Sequence, residues 1–222
     1  MDNLGAVRAR IATACERARR DPATVLLLAV SKMQPVEAVR EAFGAGQRAF
    51  AENYAQELRD KADAVPEAEW HFIGALQTNK AKLVVGRAAL VHTCDRAGVA
   101  EELHKRASAK ASVQRVLVEV NLGREPQKGG ALPEDVEALL RRIAQLPALR
   151  CDGLMCIPPA SDDSRRHFRD LRALRDRLHN AGLGQLPELS MGMSADYEAA
   201  IEEGATIVRV GTAIFGERPR PA

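Results

Sequence analysis

The stretch Thr24-Val25-Leu26-Leu27-Leu28-Ala29-Val30-Ser31-Lys32 contains an unbroken apolar run, and a lysine follows shortly after its end. Because the run has no polar face, it predicts a strand that is covered on both sides, as strands of a parallel sheet are. Lys32 then lies at the edge of the core, where partial desolvation disfavours its ammonium form and lowers its pKa. Such an amine is suited to Schiff-base formation with an aldehyde, although a lysine that extends into water is the simpler interpretation of this stretch alone.

The rest of the chain alternates between short apolar segments and segments of helical periodicity. Seven apolar segments follow the first, near residues 48–51, 70–74, 89–93, 116–121, 152–156, 186–190 and 206–210. Eight strand-helix alternations predict an α/β fold with a single (β/α)8 barrel of the TIM type. An open doubly wound sheet is the alternative, but it normally shows a glycine fingerprint after the first strand, and Ser31-Lys32-Met33-Gln34 has none. Since little chain follows the eighth strand, we expect an extra amino-terminal helix to take part of the place of the last helix.

The composition favours one domain and argues against two classes of partner. The 222 residues are 46% hydrophobic and show no shift in composition along the chain, so we expect one domain over residues 1–222. With 32 Lys and Arg against 30 Asp and Glu, the formal charge of +2 does not resemble that of a nucleic-acid binder. The lack of a signal-peptide pattern and of a bilayer-length apolar run predicts a cytoplasmic protein that does not bind membranes.

The cysteines and histidines do not form a metal-binding pattern. The four cysteines lack CxxC spacing, and the five histidines include no HExxH motif. We therefore expect no catalytic metal, and we interpret the cysteines as small buried residues in a reducing compartment.

The loops after the last two predicted strands have features of a phosphate site. In a barrel of this type, the loops after strands seven and eight commonly hold phosphate groups. Here they are Ser190-Met191-Gly192-Met193-Ser194 and Gly211-Thr212, which carry hydroxyl groups and glycines that let backbone N–H groups approach an anion. Ser194 is also a candidate cap for the helix that follows. The alternative is a pair of ordinary strand-to-helix turns.

Arg209 lies within an apolar strand, between Val208 and Val210. A buried guanidinium requires a partner, since leaving it unpaired is costly. One interpretation is an internal ion pair with a carboxylate such as Glu119. The other is that Arg209 donates to a ring nitrogen or carboxylate of a ligand. Together with Lys32 and the two loops, this second interpretation describes a pyridoxal 5'-phosphate site.

Recognisable motifs at the predicted strand ends extend over nearly the whole chain. They are Leu28-Ala29-Val30-Ser31-Lys32, Glu52-Asn53-Tyr54, Trp70-His71-Phe72-Ile73-Gly74, Leu76-Gln77-Thr78-Asn79-Lys80, Gly153-Leu154-Met155, Ser190-Met191-Gly192-Met193-Ser194 and Val208-Arg209-Val210-Gly211-Thr212-Ala213-Ile214-Phe215-Gly216. On these motifs the chain resembles the pyridoxal phosphate homeostasis proteins, single-barrel relatives of the alanine racemase amino-terminal domain. It departs from their usual pattern at Ala51 and Ala75, where a glycine and a histidine are common.

The resemblance implies a binding site for pyridoxal 5'-phosphate (PLP). Lys32 would hold the cofactor covalently as an internal aldimine, Asn53 would lie near its ring, and Arg209 would face the pyridine nitrogen. The complete expected cofactor-binding set is Lys32, Asn53 and Arg209 together with Met191 and the phosphate-holding residues Ser194, Gly211 and Thr212.

Two functions are compatible with the resemblance. A carrier would buffer or deliver pyridoxal phosphate, with PLP-dependent apo-enzymes as possible recipients, whereas an amino-acid racemase would use the cofactor catalytically. The racemases add a carboxyl-terminal domain that supplies an opposing tyrosine, and neither Tyr54 nor Tyr197 is expected opposite Lys32. We therefore predict a monomeric carrier without catalytic turnover. A barrel that binds another phosphorylated metabolite is a third alternative, and Lys80 or Lys128 could form a secondary cofactor site.

Overall fold

Eight parallel strands form a closed barrel, in which the strands follow one another in chain order and β8 pairs with β1. The structure is a computed structural model that describes residues 2–160 and 163–216. The strands are β1 (Leu26–Val30), β2 (Ala49–Glu52), β3 (Glu69–Phe72), β4 (Leu90–Cys94), β5 (Gln114–Glu119), β6 (Leu149–Met155), β7 (Glu188–Ser190) and β8 (Ile207–Val210). This topology confirms the predicted (β/α)8 barrel and excludes the open doubly wound sheet.

Helices surround the barrel. They are α1 (Asp2–Arg17), α2 (Val36–Gly44), α3 (Ala55–Ala64), α4 (Ala81–Val84), α5 (Ala97–Ser108), α6 (Val136–Ala144), α7 (Ser164–Asn180), α8 (Tyr197–Glu202) and α9 (Thr212–Phe215). The amino-terminal helix α1 packs against the short helices α8 and α9, and both Arg10 and Arg17 form ion pairs with Glu198. The expected extra helix is therefore confirmed. No helix in the described ranges combines the length and the apolar character that a bilayer span requires.

Side chains along each strand alternate between the barrel interior and the layer between strands and helices. On β8, Ile207 belongs to the interior cluster, whereas Val208 packs in the outer core against the helices. On β1, Leu28 is an interior residue and pairs in register with Arg209. The same alternation turns Arg209 toward the interior, so the centre of the barrel is not purely apolar.

The order of the strands brings three loops together at the carboxyl-terminal mouth of the barrel. Strand β8 pairs with β1 on one side and with β7 on the other. The loops after β1, β7 and β8 are consequently neighbours, although they lie far apart in the chain. This neighbourhood is what the predicted phosphate site requires.

Candidate functional site

The loop after β1, residues 31–34, presents Lys32 at the mouth of the barrel. The Gln34 N–H donates to the Ser31 carbonyl at 3.0 Å, which closes a tight turn, and Met33 has a left-handed φ of 61°. The Lys32 side chain is half-buried. A non-glycine residue with positive φ is uncommon, so contacts around the loop have to hold this conformation in place.

Those contacts come from a charged cluster that we define as Ser31, Glu52, Glu57 and Lys61. The buried Lys61 Nζ donates to the Ser31 carbonyl at 2.7 Å, to Glu52 Oε1 at 2.7 Å and to Glu57 Oε2 at 2.8 Å. Glu57 Oε2 also accepts the Met33 N–H at 2.9 Å, and the Ser31 hydroxyl donates to Glu52 Oε1 at 2.6 Å. The charged cluster therefore fixes both ends of the turn that carries Lys32.

Glu52 is fully buried, as is Ser31 beside it in the charged cluster. Burial raises the pKa of its carboxyl group, and the nearby Lys61 ammonium and Ser31 hydroxyl act in the opposite direction. Its Oε2 atom has no hydrogen-bond partner among residues 2–160 and 163–216. The carboxylate is thus stabilised through one oxygen, on the side that faces Lys61 and the Lys32 loop.

The loops after β7 and β8 are joined directly. The Gly211 N–H donates to the Ser194 hydroxyl at 3.3 Å, and Lys32, Gly211 and Thr212 line one small recess. A Cβ atom at Gly211 would lie 3.1 Å from the Val30 carbonyl oxygen, so this position favours glycine. The structure therefore brings together the predicted amine and the residues of the predicted phosphate loops.

The expectation that Ser194 caps the following helix is wrong. Helix α8 begins only at Tyr197, and Asp196 Oδ1 accepts the Met193 N–H at 2.7 Å within the preceding turn. The Ser194 hydroxyl instead accepts from Gly211, on the neighbouring loop. Its role in the structure is to hold the two loops together.

Met191 lies apart from the recess. Its side chain is fully buried and packs in the outer core, between the strands and the helices. The next residue, Gly192, has a φ of 92°, and a Cβ atom there would lie 2.6 Å from the Ala200 Cβ. The loop after β7 can therefore turn tightly only with glycine at this position, and the Met191 side chain does not line the recess.

Arg209 is 3% exposed and is held by two neutral groups. One terminal nitrogen donates to Ser190 Oγ at 2.7 Å and the other to the Cys156 carbonyl at 2.9 Å. Neither bond involves Glu119, so the contacts do not support the ion-pair interpretation. Burial lowers the pKa of the guanidinium, opposed by the charges of Cys156, Glu119 and Asp196. Since a guanidinium has five N–H donors, these two bonds leave Arg209 donors for a ligand.

Arg209 is also the end of a hydrogen-bond chain that crosses the barrel, here called the interior chain. Ser190 Oγ lies 2.8 Å from His92 Nδ1, His92 Nε2 lies 2.8 Å from His71 Nδ1, and His71 Nε2 lies 2.8 Å from Glu69 Oε1. Burial lowers the pKa of His92 well below its usual range, and the charges of His71, Arg209 and Arg115 lower it further. A neutral His92 that carries its proton on Nε2 accepts from the Ser190 hydroxyl at Nδ1 and donates to His71 Nδ1.

The residues of the interior chain were not recognised from the sequence. His71, His92 and Ser190 each lie one residue from a side chain in the outer core, namely Phe72, Val91 and Leu189. Polar residues at inward positions of otherwise apolar strands were the available signal. That signal becomes specific only when the barrel register is known, because the link between His92 on β4 and Ser190 on β7 joins strands that are not adjacent.

Asn53 follows β2 and lies between two cavities of the mouth. Its Oδ1 atom is buried and has no hydrogen-bond partner in the described part of the chain. One cavity includes Glu119 and Lys128, and the other includes Tyr54 and Lys80. The two lysines considered as secondary attachment points thus line cavities that Asn53 shares, but neither lines the recess of Lys32.

The two tyrosines differ in their access to the mouth. The Tyr54 side chain is half-exposed and lines the cavity of Lys80. Tyr197 is 1% exposed, its hydroxyl is buried, and the Arg10 guanidinium lies 5.3 Å from the centre of its ring. Tyr197 therefore has no access to a ligand in the recess. Within residues 2–160 and 163–216, no group of three or more His, Cys, Asp or Glu side chains is arranged to hold a metal ion.

Comparisons with known proteins agree on one group of relatives. The family model described as alanine racemase, N-terminal domain, matches residues 3–219. A pyridoxal phosphate homeostasis protein of Aquifex aeolicus is 48% identical over 222 residues, which cover 98% of this chain and 97% of the relative. The protein of the same name from Pseudomonas aeruginosa is 47% identical and covers 98% of this chain and 95% of its own length.

Solved structures give the same result. PipY of Synechococcus elongatus PCC7942, solved with PLP bound, is 36% identical with a TM-score of 0.83, and the match covers 95% of this chain and 100% of PipY. An alanine racemase of Clostridium difficile has a TM-score of 0.78 at 16% identity, and the match covers 99% of this chain and 58% of the racemase. The racemase shares the fold, but it is a longer protein.

Proposed function

The chain belongs to the pyridoxal phosphate homeostasis proteins, within the family of the alanine racemase N-terminal domain, and from this premise we propose that it binds pyridoxal 5'-phosphate in order to buffer or deliver it. The observation that carries the proposal is the shared recess of Lys32, Gly211 and Thr212. It combines an amine, which can condense with an aldehyde, and a glycine-containing turn, which can receive a phosphate. PipY, a relative at 36% identity, supports the choice of ligand because it was solved with PLP bound.

The residues around the recess fit the rest of the cofactor. We assign the ring nitrogen to the remaining donors of Arg209, and the phosphate to Ser194, Gly211 and Thr212. Asn53 would lie beside the ring, since its buried Oδ1 still lacks a partner among the described residues. Met191 would contribute through its backbone only, because its side chain packs in the outer core. When bound, the cofactor supplies an aldehyde that reacts with the Lys32 amine to give an imine and one water.

The same residues favour a carrier over a racemase. A guanidinium at the ring nitrogen opposes protonation of the ring, which weakens the cofactor as an electron sink. Racemisation also needs a second acid on the face opposite Lys32. Tyr197 does not line the recess, and its hydroxyl is buried. We therefore propose that residues 1–222 form a single, monomeric cofactor-binding domain that hands PLP to PLP-dependent apo-enzymes.

Attachment of the cofactor is tested by absorption spectroscopy and peptide mapping. We expect the purified protein with added PLP to show a visible imine band that hydroxylamine removes. Borohydride reduction should then place the pyridoxyl group on Lys32. Lys32→Ala should lose the band and keep the thermal stability of the wild-type protein, whereas Lys80→Ala, the matched control, should keep both. A label found mainly on Lys80 or Lys128 would contradict the assignment.

Turnover is tested separately with L-alanine in deuterated buffer. Because Tyr197 is buried and Tyr54 lines a cavity other than the recess of Lys32, we expect uptake of α-deuterium and formation of D-alanine to stay at the rate of free PLP under the same conditions. General acid-base catalysis is typically worth about 10²–10⁴-fold, so a positioned acid would be easily detected. Enzyme-like turnover that disappears in Lys32→Ala would favour the racemase.

A further inference from the structure

Glu119, at the end of β5, is a largely buried residue whose carboxyl group has no hydrogen-bond or ion-pair partner among the described residues. The residue is 8% exposed and lines a cavity of about 230 Å³ at the mouth of the barrel. In the part of the chain that the structure describes, no hydrogen bond or ion pair to its side chain is formed. Buried carboxylates are normally paired or hydrogen-bonded, since an unpaired one is costly. A group that enters the cavity could provide the missing partner.

The cavity contains hydrogen-bond acceptors without partners among the described residues. The second unpaired acceptor is Asn53 Oδ1, which lines the same cavity. The side-chain donors beside these atoms already have partners. The Thr93 hydroxyl donates to the Gly74 carbonyl at 2.6 Å, and Lys128 Nζ donates to the Pro158 carbonyl at 3.2 Å and pairs with Glu125 Oε2 at 2.5 Å. A ligand that donates hydrogen bonds would satisfy both acceptors.

A second carboxylate makes a positive ligand favourable. A Cβ atom built on Gly129 would lie 3.5 Å from Glu119 Oε2 and 3.7 Å from Asp95 Oδ2. The two carboxylates therefore face the same small region beside Gly129. A cation near this region would relieve their mutual repulsion and pair with Glu119 at the same time.

We propose that the Glu119 cavity binds the ammonium group of a small organic amine, such as an amino acid. An ammonium has three donors, which suits the two unpaired acceptors. The cavity is also lined by Ile73, Val120 and Ile157, and this apolar surface suits an aliphatic body better than a hydrated metal ion. This role rests on the proposed function: because Asn53 lines this cavity and is proposed to lie beside the cofactor ring, the bound amine would lie beside the cofactor and compete with Lys32 for its aldehyde.

The protonation of Glu119 gives this site a pH dependence. Burial and the charge of Asp95 raise the pKa of Glu119 to about 7, while Arg209 acts in the opposite direction. The ionisable groups that face Glu119 are Asp95, Lys128, Arg209 and Cys156. An ammonium favours the carboxylate, so its binding lowers the pKa of Glu119 and releases a proton from the protonated fraction. Affinity should rise with pH through about 7 and fall again only when the amine itself deprotonates.

Calorimetry on the full chain measures this binding without imine chemistry. The PLP-loaded protein is first reduced with borohydride, so that amines cannot react with the cofactor, and is then titrated with ethylamine, L-alanine or L-lactate. We expect saturable binding of ethylamine and L-alanine but not of L-lactate, in which a hydroxyl replaces the ammonium. Titrations in buffers of different ionisation enthalpy should show release of about half a proton per amine at pH 7.

Two variants separate the cavity from general effects of charge. Glu119→Gln should weaken ethylamine binding about tenfold or more and abolish the proton release. Glu134→Gln makes the same change at an exposed carboxylate that pairs with Arg124, and it should leave both unchanged. If Glu119→Gln does not fold, the wild-type protein still decides, because its affinity for ethylamine should fall about tenfold between pH 8 and pH 6 for a pKa of about 7.

Three results would overturn the proposal. They are equal binding of L-lactate and L-alanine, unchanged ethylamine binding in Glu119→Gln, and saturable binding of Mg²⁺ in the absence of any ethylamine binding. The absorption test for PLP on Lys32 is independent of all three. A failure to bind amines would not contradict the proposal that the protein binds PLP. Conversely, the same titration of the protein without PLP would detect the amine site even if no PLP binds.

Discussion

The charged cluster and the interior chain both end at a residue of the proposed cofactor site, but they act on different parts of it. The charged cluster lies behind β1 and β2, where Lys61 of α3 bonds to the backbone of the turn that carries Lys32. The interior chain crosses the barrel and bonds to the side chain of Arg209. One arrangement positions a backbone, and the other positions a guanidinium.

The chemistry of the two arrangements explains this difference. A turn with an unfavourable φ at Met33 must be held against strain, and ionic bonds at 2.7 and 2.8 Å provide strong attachments. A guanidinium is already charged, so the groups around it need only accept hydrogen bonds and fix its plane. The Ser190 hydroxyl and the Cys156 carbonyl do this without adding a charge beside the guanidinium. The charged cluster should therefore be the more sensitive of the two to the loss of one member.

The largest effect is expected for Lys61→Met. The variant leaves Glu52 fully buried without its cation, and breaking a buried ion pair in this way typically costs about 3–5 kcal/mol. Without Lys61, the raised pKa of Glu52 rises further, so the folded state binds a proton more tightly than the unfolded state. The loss of stability should consequently be greatest at high pH and should shrink as pH falls and Glu52 becomes protonated. Urea denaturation at several pH values measures it.

Two further variants sharpen that test. Lys61→Met combined with Glu52→Gln removes both charges and should recover much of the lost stability, since no carboxylate then remains buried alone. Lys82→Met removes an exposed lysine from the neighbouring helix and should change the free energy of unfolding by less than about 0.5 kcal/mol. A loss in Lys82→Met as large as in Lys61→Met would show that the charged cluster has no special role.

The next effect is expected for Ser190→Ala, which cuts the interior chain beside Arg209. Arg209 then keeps only the Cys156 carbonyl of the two acceptors described above, and His92 loses its hydroxyl partner. We expect the free energy of unfolding to fall by about 1.5–3 kcal/mol. Because the guanidinium is no longer held in place, the visible band of the PLP-loaded protein should also change its pH profile. Ser108→Ala, at an exposed serine, is the control and should alter neither property. An unchanged pH profile in Ser190→Ala would mean that the interior chain supports the fold but not Arg209.

The sequence allowed the barrel and the loops of the candidate site to be predicted, but not the charged cluster or the interior chain. Apolar strands such as Val25 to Val30 and the alternation with helices depend on local patterns, which a single sequence contains. The contact between Ser190 and His92 depends on how strands β4 and β7 face each other across the barrel. Tertiary contacts also decide the positions of Met191 and Ser194, which local patterns do not determine. The Met191 side chain packs in the outer core, and the Ser194 hydroxyl accepts from Gly211 in the loop after β8.

The smallest effect is expected at the exposed end of the interior chain, in Glu69→Gln. The Glu69 side chain is 48% exposed, so water screens its bond to His71, and we expect a loss of less than about 1 kcal/mol at pH 7. The hydrogen bond from His71 holds the pKa of Glu69 below its ordinary value of 4.5, with burial acting in the opposite direction. A carboxyl group with a lowered folded pKa contributes stability that is fully present above the unfolded pKa and disappears as pH falls through the folded one. The stabilities of Glu69→Gln and the wild-type protein should therefore converge as pH falls below the lowered pKa of Glu69, the reverse of what a raised pKa predicts for Glu52. Denaturation curves between pH 3 and pH 7 would reveal the convergence. A difference in stability that grew toward low pH would show that the bond to His71 does not lower the pKa of Glu69.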